Sequence, residues 1–187
     1  IVFLNNDTIP LVGWLTNLVS KLESDSKIGI VGSKLLYADN SIQHCGVVLR
    51  RDRKWFKHPY KFFERMHPVV CYTREWDAVT AACMITRKSL FTESGMFDEK
   101  FVNGCEDIDY CCAVRERGYK IFYEPKSELY HLESQTPRTN NNDESNFAYF
   151  ISKRGSYAIK TEHEIYIQDG FWKIDGNLYQ HSTGNKF

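Results

Sequence analysis

Apolar positions along the chain alternate between two rhythms, the arrangement expected when strands and helices take turns in an α/β sheet with crossovers. Ile1, Val2, Phe3 and Leu4 form an unbroken apolar run of the kind a buried strand carries. Leu11, Trp14, Leu15, Leu18, Val19 and Leu22 then repeat at helical spacing and predict an amphipathic helix that covers the sheet, with Pro10 at its start. Further strands are predicted over 28–36, 42–49 and 77–86, followed by a short helix near Ser89 that Gly95 ends. A longer helix is expected over 106–117, with Gly118 as its left-handed stop. Short strands over 119–123 and 128–131 flank Pro125, and a helix from Ser145 to about Ile159 is interrupted by Gly155. Residues 133 to 146, rich in Ser, Thr and Asn, read as a mobile loop, and no element is assigned from Ile165 onward. The pattern divides into a main unit over 1–160 and a tail over 161–187.

Composition narrows the class. A length of 187 residues is ample for one core, and 42% hydrophobic with 26% charged residues is ordinary for a globular protein. Lys plus Arg equals Asp plus Glu at 24 each, so no whole-chain field recruits nucleic acid or an anionic membrane. No apolar run approaches transmembrane length and no signal peptide is visible. Cys45, Cys71, Cys83, Cys105, Cys111 and Cys112 have neither zinc spacing nor the density of a disulfide framework. They read as buried or semi-buried thiols of a reducing compartment, hence a cytoplasmic protein.

Two polar clusters carry candidate chemistry. Glu106, Asp107 and Asp109 gather three carboxylates on one helix N-terminus, where unpaired backbone N–H groups and the macrodipole hold a carboxylate ionised, as suits a positioned proton acceptor or metal partner. A simply capped helix fits the same residues. Asn5, Asn6, Asp7 and Thr8 follow the first strand directly, at the carboxyl end where open α/β sheets bind ligands and where a lone Asp can hold a hard cation. An Asx turn fits them equally. A third stretch interleaves Arg50, Arg51, Arg53, Lys54, Lys57, Lys61 and Arg65 with Trp55, Phe56, Tyr60, Phe62 and Phe63. It suits a nucleic acid, a phosphorylated lipid carrier or stacked sugars, and equally a solvated loop whose aromatics tuck onto the sheet.

Together these pieces resemble the family 2 glycosyltransferases of the GT-A fold, particularly the bacterial enzymes that add rhamnose or related sugars to surface polysaccharides. The resemblance runs from residue 1 to about 155. It is carried by Ile1 to Thr8 with Trp14 and Leu15, by Val31 to Tyr37, by Ile42, Gln43, His44, Cys45 and Gly46, and by Val79 to Arg87. Gly95, Met96, Phe97, Asp98 and Glu99 continue it, then Glu106 to Asp109 with Arg115 and Gly118, and Tyr123, Glu124 and Pro125 leading to His131. The family's first half, which holds the nucleotide base and ribose, would lie before Ile1. The resemblance therefore implies a Rossmann-like GT-A sheet flanked by helices and lacking its N-terminal nucleotide-binding half.

Its functional implication is inverting transfer of a sugar from a UDP- or dTDP-linked donor to a glycan or polyprenyl-linked acceptor. Asp7 and His131 would hold Mn2+ or Mg2+, with Asn5 in place of the first acid of the family's metal motif. Asn5, Asn6, Thr80, Ala81 and Ala82 would contact the donor. Asp107 would be the general base, with Glu106 the second choice. Arg50, Arg53, Trp55, Lys57, Trp76 and Asp109 would meet the acceptor, and Asp109 would also orient Arg115 or cap its helix. The expected setting is the cytoplasm, with peripheral attachment at the inner membrane face, and the first strand's bare edge is expected to allow pairing between copies. Two other functions fit the residues: a glycan-binding or truncated, inactive piece, and a hydrolase using Asp7, His131 and Glu106 around a cation.

Overall fold

The computed structural model describes residues 1–49, 56–132, 143–155, 162–175 and 178–181. Its elements are β1 (Val2–Leu4), β2 (Thr8–Pro10), α1 (Trp14–Glu23), β3 (Ile28–Leu36), β4 (Ile42–His44), β5 (Val48–Leu49) and β6 (Phe56–Lys57). They continue with β7 (Arg74–Glu75), β8 (Cys83–Thr86), α2 (Lys88–Glu93), α3 (Glu106–Glu116), β9 (Lys120–His131), α4 (Asp143–Arg154), α5 (Glu162–Gln168), β10 (Phe171–Asp175) and β11 (Leu178–His181). Seven strands share one sheet whose main path runs β1, β8, β3, β9, β2, with β4 on β3 and β7 on β9. Only β3 and β9 pair in parallel, and every other pairing in this sheet is antiparallel.

β3 lies at the centre because all nine of its residues, Ser33 and Lys34 included, are buried. Two-sided burial suits a continuous apolar run rather than an alternating one. Ser33 is satisfied by Ser127 at 2.8 Å, and the Lys34 ammonium by the Arg65 carbonyl at 3.0 Å and the Glu128 carboxylate at 3.2 Å. One layer of the core lies between the sheet and α3, where Tyr110, Cys111, Cys112 and Val114 are fully buried with Ile30, Met84 and Ile121. Burial pushes the Cys112 thiol up to about 12, so the Cys111–Cys112 pair packs as apolar groups. α1 covers another face through Leu18 and Leu22. A third cluster joins Tyr60, Phe63, Val70 and Trp76 to Ile165 and Tyr166 of α5 and Phe171 of β10, so these two elements pack on the main unit.

Several predicted boundaries move, each for a backbone reason. The first helix begins at Trp14 after Gly13 at φ +83°, leaving Leu11 outside it and Leu15 41% exposed. Pro10 lies in β2, an edge strand on which its missing N–H costs no ladder bond. The stretch 42–49 breaks at Gly46, whose φ of +133° ends β4 before β5 starts. Within 77–86 only Cys83–Thr86 has strand partners, since Ala78 exchanges both backbone bonds with Val47 instead. The two strands read around Pro125 are one, β9, with a register shift where Ser33 and Lys34 meet Glu124 and Glu128. The helix expected from Ser145 runs over Asp143–Arg154, and most of the loop at 133–146 lies outside the described residues. Among the described residues no helix is long and apolar enough to cross a membrane.

Candidate functional site

β1 lies at one end of the strand path and β2 at the other, yet only Asn5, Asn6 and Asp7 separate them. Asn5 continues the β1 pairing by donating its N–H to the Ala82 carbonyl at 3.0 Å. Thr8 is the register partner of His131, and the Leu132 N–H donates to the Asp7 carbonyl at 2.9 Å. The Thr8 hydroxyl closes this turn on the Asn5 carbonyl at 2.7 Å. Strand pairing thereby brings Asp7 against His131, with Oδ1 3.1 Å from the ring Nε2. Asn5 Nδ2 stands 3.2 Å from the same nitrogen, and Asn6 is exposed. On the far side of the ring, Nδ1 lies 2.7 Å from Gln43 Oε1.

Asp107 forms the second part. One carboxylate oxygen accepts the Ala81 N–H at 2.9 Å and the other its neighbour Ile108 N–H at 2.8 Å. Because Ala82 holds Asn5 and Ala81 holds Asp107, two consecutive residues join the clusters read separately from the sequence. Cys105, at φ +72° just before α3, gives the helix no side-chain cap, so Asp107 itself serves the N-terminal turn. Burial and the neighbouring Glu106 carboxylate push the Asp107 carboxyl above the ordinary 3.8, against the Ala81, Ile108 and Thr80 hydrogen bonds that favour the ion. The helix N-terminus alone predicts a carboxylate held ionised, but here desolvation outweighs it.

Other predicted positions are placed differently. Glu106 accepts the Gly104 N–H at 2.7 Å and closes the turn before α3. Among the described residues no three His, Cys, Asp or Glu side chains group as metal ligands, so the three-ligand set of the hydrolase reading, Asp7, His131 and Glu106, is not formed. Asp109 is 3% exposed and pairs with α4 rather than facing an acceptor: it accepts from Arg154 Nε at 2.7 Å and Lys153 Nζ at 2.8 Å. Nor does it orient Arg115, which pairs with Asp77 at 2.7 Å. Asp109→Ala leaves the buried Arg154 guanidinium without its main partner and should cost about 3 kcal/mol in urea denaturation; unchanged stability would refute the role given to this pair.

Trp76 is buried too, its ring covering Gly46, and it lines a concavity of about 260 Å³ with Arg74, Asp77 and Arg115 that contains neither Asp7 nor Asp107. A packing role therefore replaces its expected acceptor contact. Lys57 is exposed on β6, which pairs antiparallel with β5, while Arg50, Arg53 and Trp55 lie outside the described residues.

Gln43 and His44 help carry the family resemblance but receive no site role from the sequence, although adjacent polar residues in an otherwise apolar predicted strand are a usable signal. They reach the two halves of the site separately. Gln43 holds His131, and His44 accepts the Thr80 N–H at 3.5 Å through Nε2 while its Nδ1 bonds His58 Nδ1 at 2.8 Å. Burial holds the His44 ring well below the usual 6.5, with His58 and His131 adding to the effect. His58 is brought down to about 4 by burial and the Lys61 charge. A bond between two neutral rings beneath the Thr80–Ala82 turn supports the loop that holds Asp107.

No protein-family model matches the chain. It is 31% identical over 143 residues to the O-antigen biosynthesis protein RfbC of Myxococcus xanthus, covering 74% of this chain and 11% of that protein. The uncharacterized protein y4gI of Sinorhizobium fredii (strain NBRC 101917 / NGR234) is 35% identical over 141 residues, 72% of this chain and 15% of its own length. The pre-mycofactocin glycosyltransferase of Mycobacterium tuberculosis is 26% identical over 131 residues, 70% of this chain and 26% of the relative. The chain thus spans only about a tenth to a quarter of these relatives. Among solved structures, GalNAc-T7 with UDP, GalNAc and Mn2+ superposes with a TM-score of 0.59 and 14% identity, over 82% of this chain and 32% of that one. At that identity the likeness is one of fold.

Proposed function

We propose, from its similarity in sequence to an O-antigen biosynthesis protein and a glycosyltransferase and in fold to a further sugar-transferring enzyme, that the chain supplies the catalytic side of an inverting sugar transfer from a nucleotide-diphosphate donor to a glycan or lipid-linked acceptor. The observation that carries the reading is the junction at Ala81–Ala82, which ties a carboxylate raised in basicity to the turn that presents Asp7.

In this reading Asp107 accepts the proton of an acceptor hydroxyl as its oxygen attacks the anomeric carbon. The new C–O bond forms on the face opposite the departing nucleoside diphosphate, whose bond to that carbon breaks, so one displacement inverts the centre. A general base supplies about 10²–10⁴-fold when placed within hydrogen-bond reach, and burial raises the proton affinity of this one without removing its backbone anchors. Because the Ala81 amide fixes one carboxylate oxygen, the orientation of the base is set before the acceptor arrives. Thr80, Ala81 and Ala82 offer a small-residue wall on which a donor sugar can approach the backbone.

Asp7 and His131 would hold a divalent cation. The residues fit one: Asp7 Oδ1 is buried without a hydrogen-bond partner and faces the ring nitrogen of His131, an oxygen–nitrogen pair suited to Mn2+, with phosphate and water completing the shell. When bound, such an ion neutralises charge on the leaving diphosphate. The UDP, GalNAc and Mn2+ of the structural neighbour support the same ligand classes here.

Calorimetric titration with UDP and dTDP, each with and without Mn2+, tests the reading. Manganese-dependent binding that disappears in Asp7→Ala is the expected result, and a nucleotide affinity indifferent to Mn2+ or to Asp7 would overturn the assignment of the diphosphate to this turn.

A further inference from the structure

Gln43 is 4% exposed on β4, and both ends of its amide are engaged by one residue. Its Nε2 donates to the His131 carbonyl at 2.9 Å, which leaves Oε1 to meet His131 Nδ1 at 2.7 Å. An amide oxygen only accepts, so Nδ1 must carry the proton. The orientation of the amide is not free to invert, because inversion would set Oε1 against the His131 carbonyl oxygen. On the opposite edge of the ring, Nε2 lies 3.2 Å from the Asn5 amide nitrogen, a donor, and 3.1 Å from Asp7 Oδ1, an acceptor. The Asn5 contact agrees with a bare Nε2, and the Asp7 contact then sets two lone pairs against each other. A buried carboxylate oxygen with no hydrogen-bond partner is costly, and a cation shared with the imidazole relieves it.

We propose that Gln43 is a positioning residue that locks the His131 imidazole in its Nδ1–H tautomer and aims the bare Nε2 at Asp7, preforming a divalent-cation seat. This rests on the reading of Asp7 and His131 as the cation pair. A histidine ligand presents one nitrogen to a metal while the other N–H is held by a carbonyl or carboxylate, and losing that outer partner weakens binding by about 10–100-fold. Gln43 differs from the usual outer partner in gripping the backbone of the same residue. Ring and main chain of His131 are therefore fixed to one side chain, and Thr8, the register partner of His131, is fixed to Asp7 through the turn. A merely structural tie between β4 and the end of β9 would alter stability when removed but has no bearing on which ring nitrogen is protonated.

The test uses metal-free protein labelled with 15N-histidine, in which long-range 1H–15N correlation spectra assign the tautomer of each ring. Wild-type His131 is expected to show a protonated Nδ1 and a bare Nε2. Gln43→Met, similar in length but without the acceptor oxygen, should release the ring toward the Nε2–H form and weaken Mn2+ binding, followed by electron paramagnetic resonance, by about 10–100-fold. Gln43→Glu retains an acceptor for Nδ1–H but loses the donor to the His131 carbonyl, so it should keep the tautomer while its Mn2+ affinity falls between those of wild type and Gln43→Met. An Nε2–H or doubly protonated ring in the wild type overturns the clamp with no variant needed, as does a Gln43→Met protein with tautomer and affinity unchanged. Wild-type protein with the expected tautomer that binds no Mn2+ would instead sink the reading of Asp7 and His131 as a cation pair, so the two failures are told apart.

Discussion

Asp107→Asn should lower kcat for sugar transfer by about 10²–10⁴-fold while leaving nucleotide binding within reach of the wild type, because it removes a proton acceptor and not a donor contact. Nucleoside diphosphate released in the presence and absence of acceptor is the measurement, and a variant that keeps wild-type turnover would remove Asp107 from the chemistry. The raised carboxyl adds a pH signature. Burial and Glu106 hold it above 3.8, so the acid limb of kcat/KM should lie above the ordinary Asp value, with the rate falling as pH drops and the base protonates. Stability runs the other way: a carboxyl whose folded value is raised favours the fold most below its unfolded value, near 3.8, and that contribution is lost as pH rises through the folded value. The melting temperature of Asp107→Asn, taken relative to wild type, should therefore become more favourable on going from acid to neutral pH. This slope holds even if the amide loses one of the two backbone bonds.

The largest stability effect is expected at Gly46. A Cβ built there would stand 2.3 Å from Cδ1 and Nε1 of the Trp76 indole, and the residue's φ of +133° is one that L side chains rarely adopt. Gly46→Ala should cost about 3–5 kcal/mol, overpacking and backbone strain acting together. The two causes separate in a double variant: adding Trp76→Leu opens space for the methyl group but leaves the φ penalty, so partial recovery in urea denaturation is expected. Full recovery would make the effect steric alone, and none would assign it to the backbone. Gly46 also lies two residues after His44, the end of β4, so a distorted Gly46 should disturb the supports of both halves of the site.

Elements whose apolar pattern matched their final burial were legible in the sequence. β3 has its predicted limits because a two-sided buried strand leaves a continuous apolar run even with Ser33 and Lys34 inside it. α3 likewise starts at Glu106 and ends at Glu116, close to the glycine stop at Gly118, where φ is +84°. The stretch from Asp77 looked equally like a strand, but strand identity depends on a partner, and the partner of Ala78 is Val47 rather than a neighbour in the sheet. Pro125 suggested two strands because a proline interrupts a ladder, and here a local register shift absorbs it. The amphipathic stripe of the first helix overreached at Leu11, since periodicity does not register that Gly13 delays the helix start, while Leu15 lies in the helix but stays 41% exposed.

For the site, Asp7, His131 and Asp107 could be nominated one by one from local patterns, yet their relation could not. The bonds that join them run from Asn5 to Ala82, from Ala81 to Asp107 and from Gln43 to His131, across 26 to 88 residues of chain. Asp109 shows the converse error. In a helix's first turn it looks like its two acidic neighbours, but the 3.6-residue period rotates it inward to Arg154, and only the position of α4 reveals that.

The three-residue span from Asn5 to Asp7 has a mechanical consequence. It connects the two ends of the strand path, so any relative slip of β1 and β2 must be taken up within these residues. A ligand gripping Asp7 and His131 together would shorten the slack in that span and stiffen strands it never touches. The donor, in this view, would act as a clasp on the sheet, and loosening of the outer strands should accompany its departure.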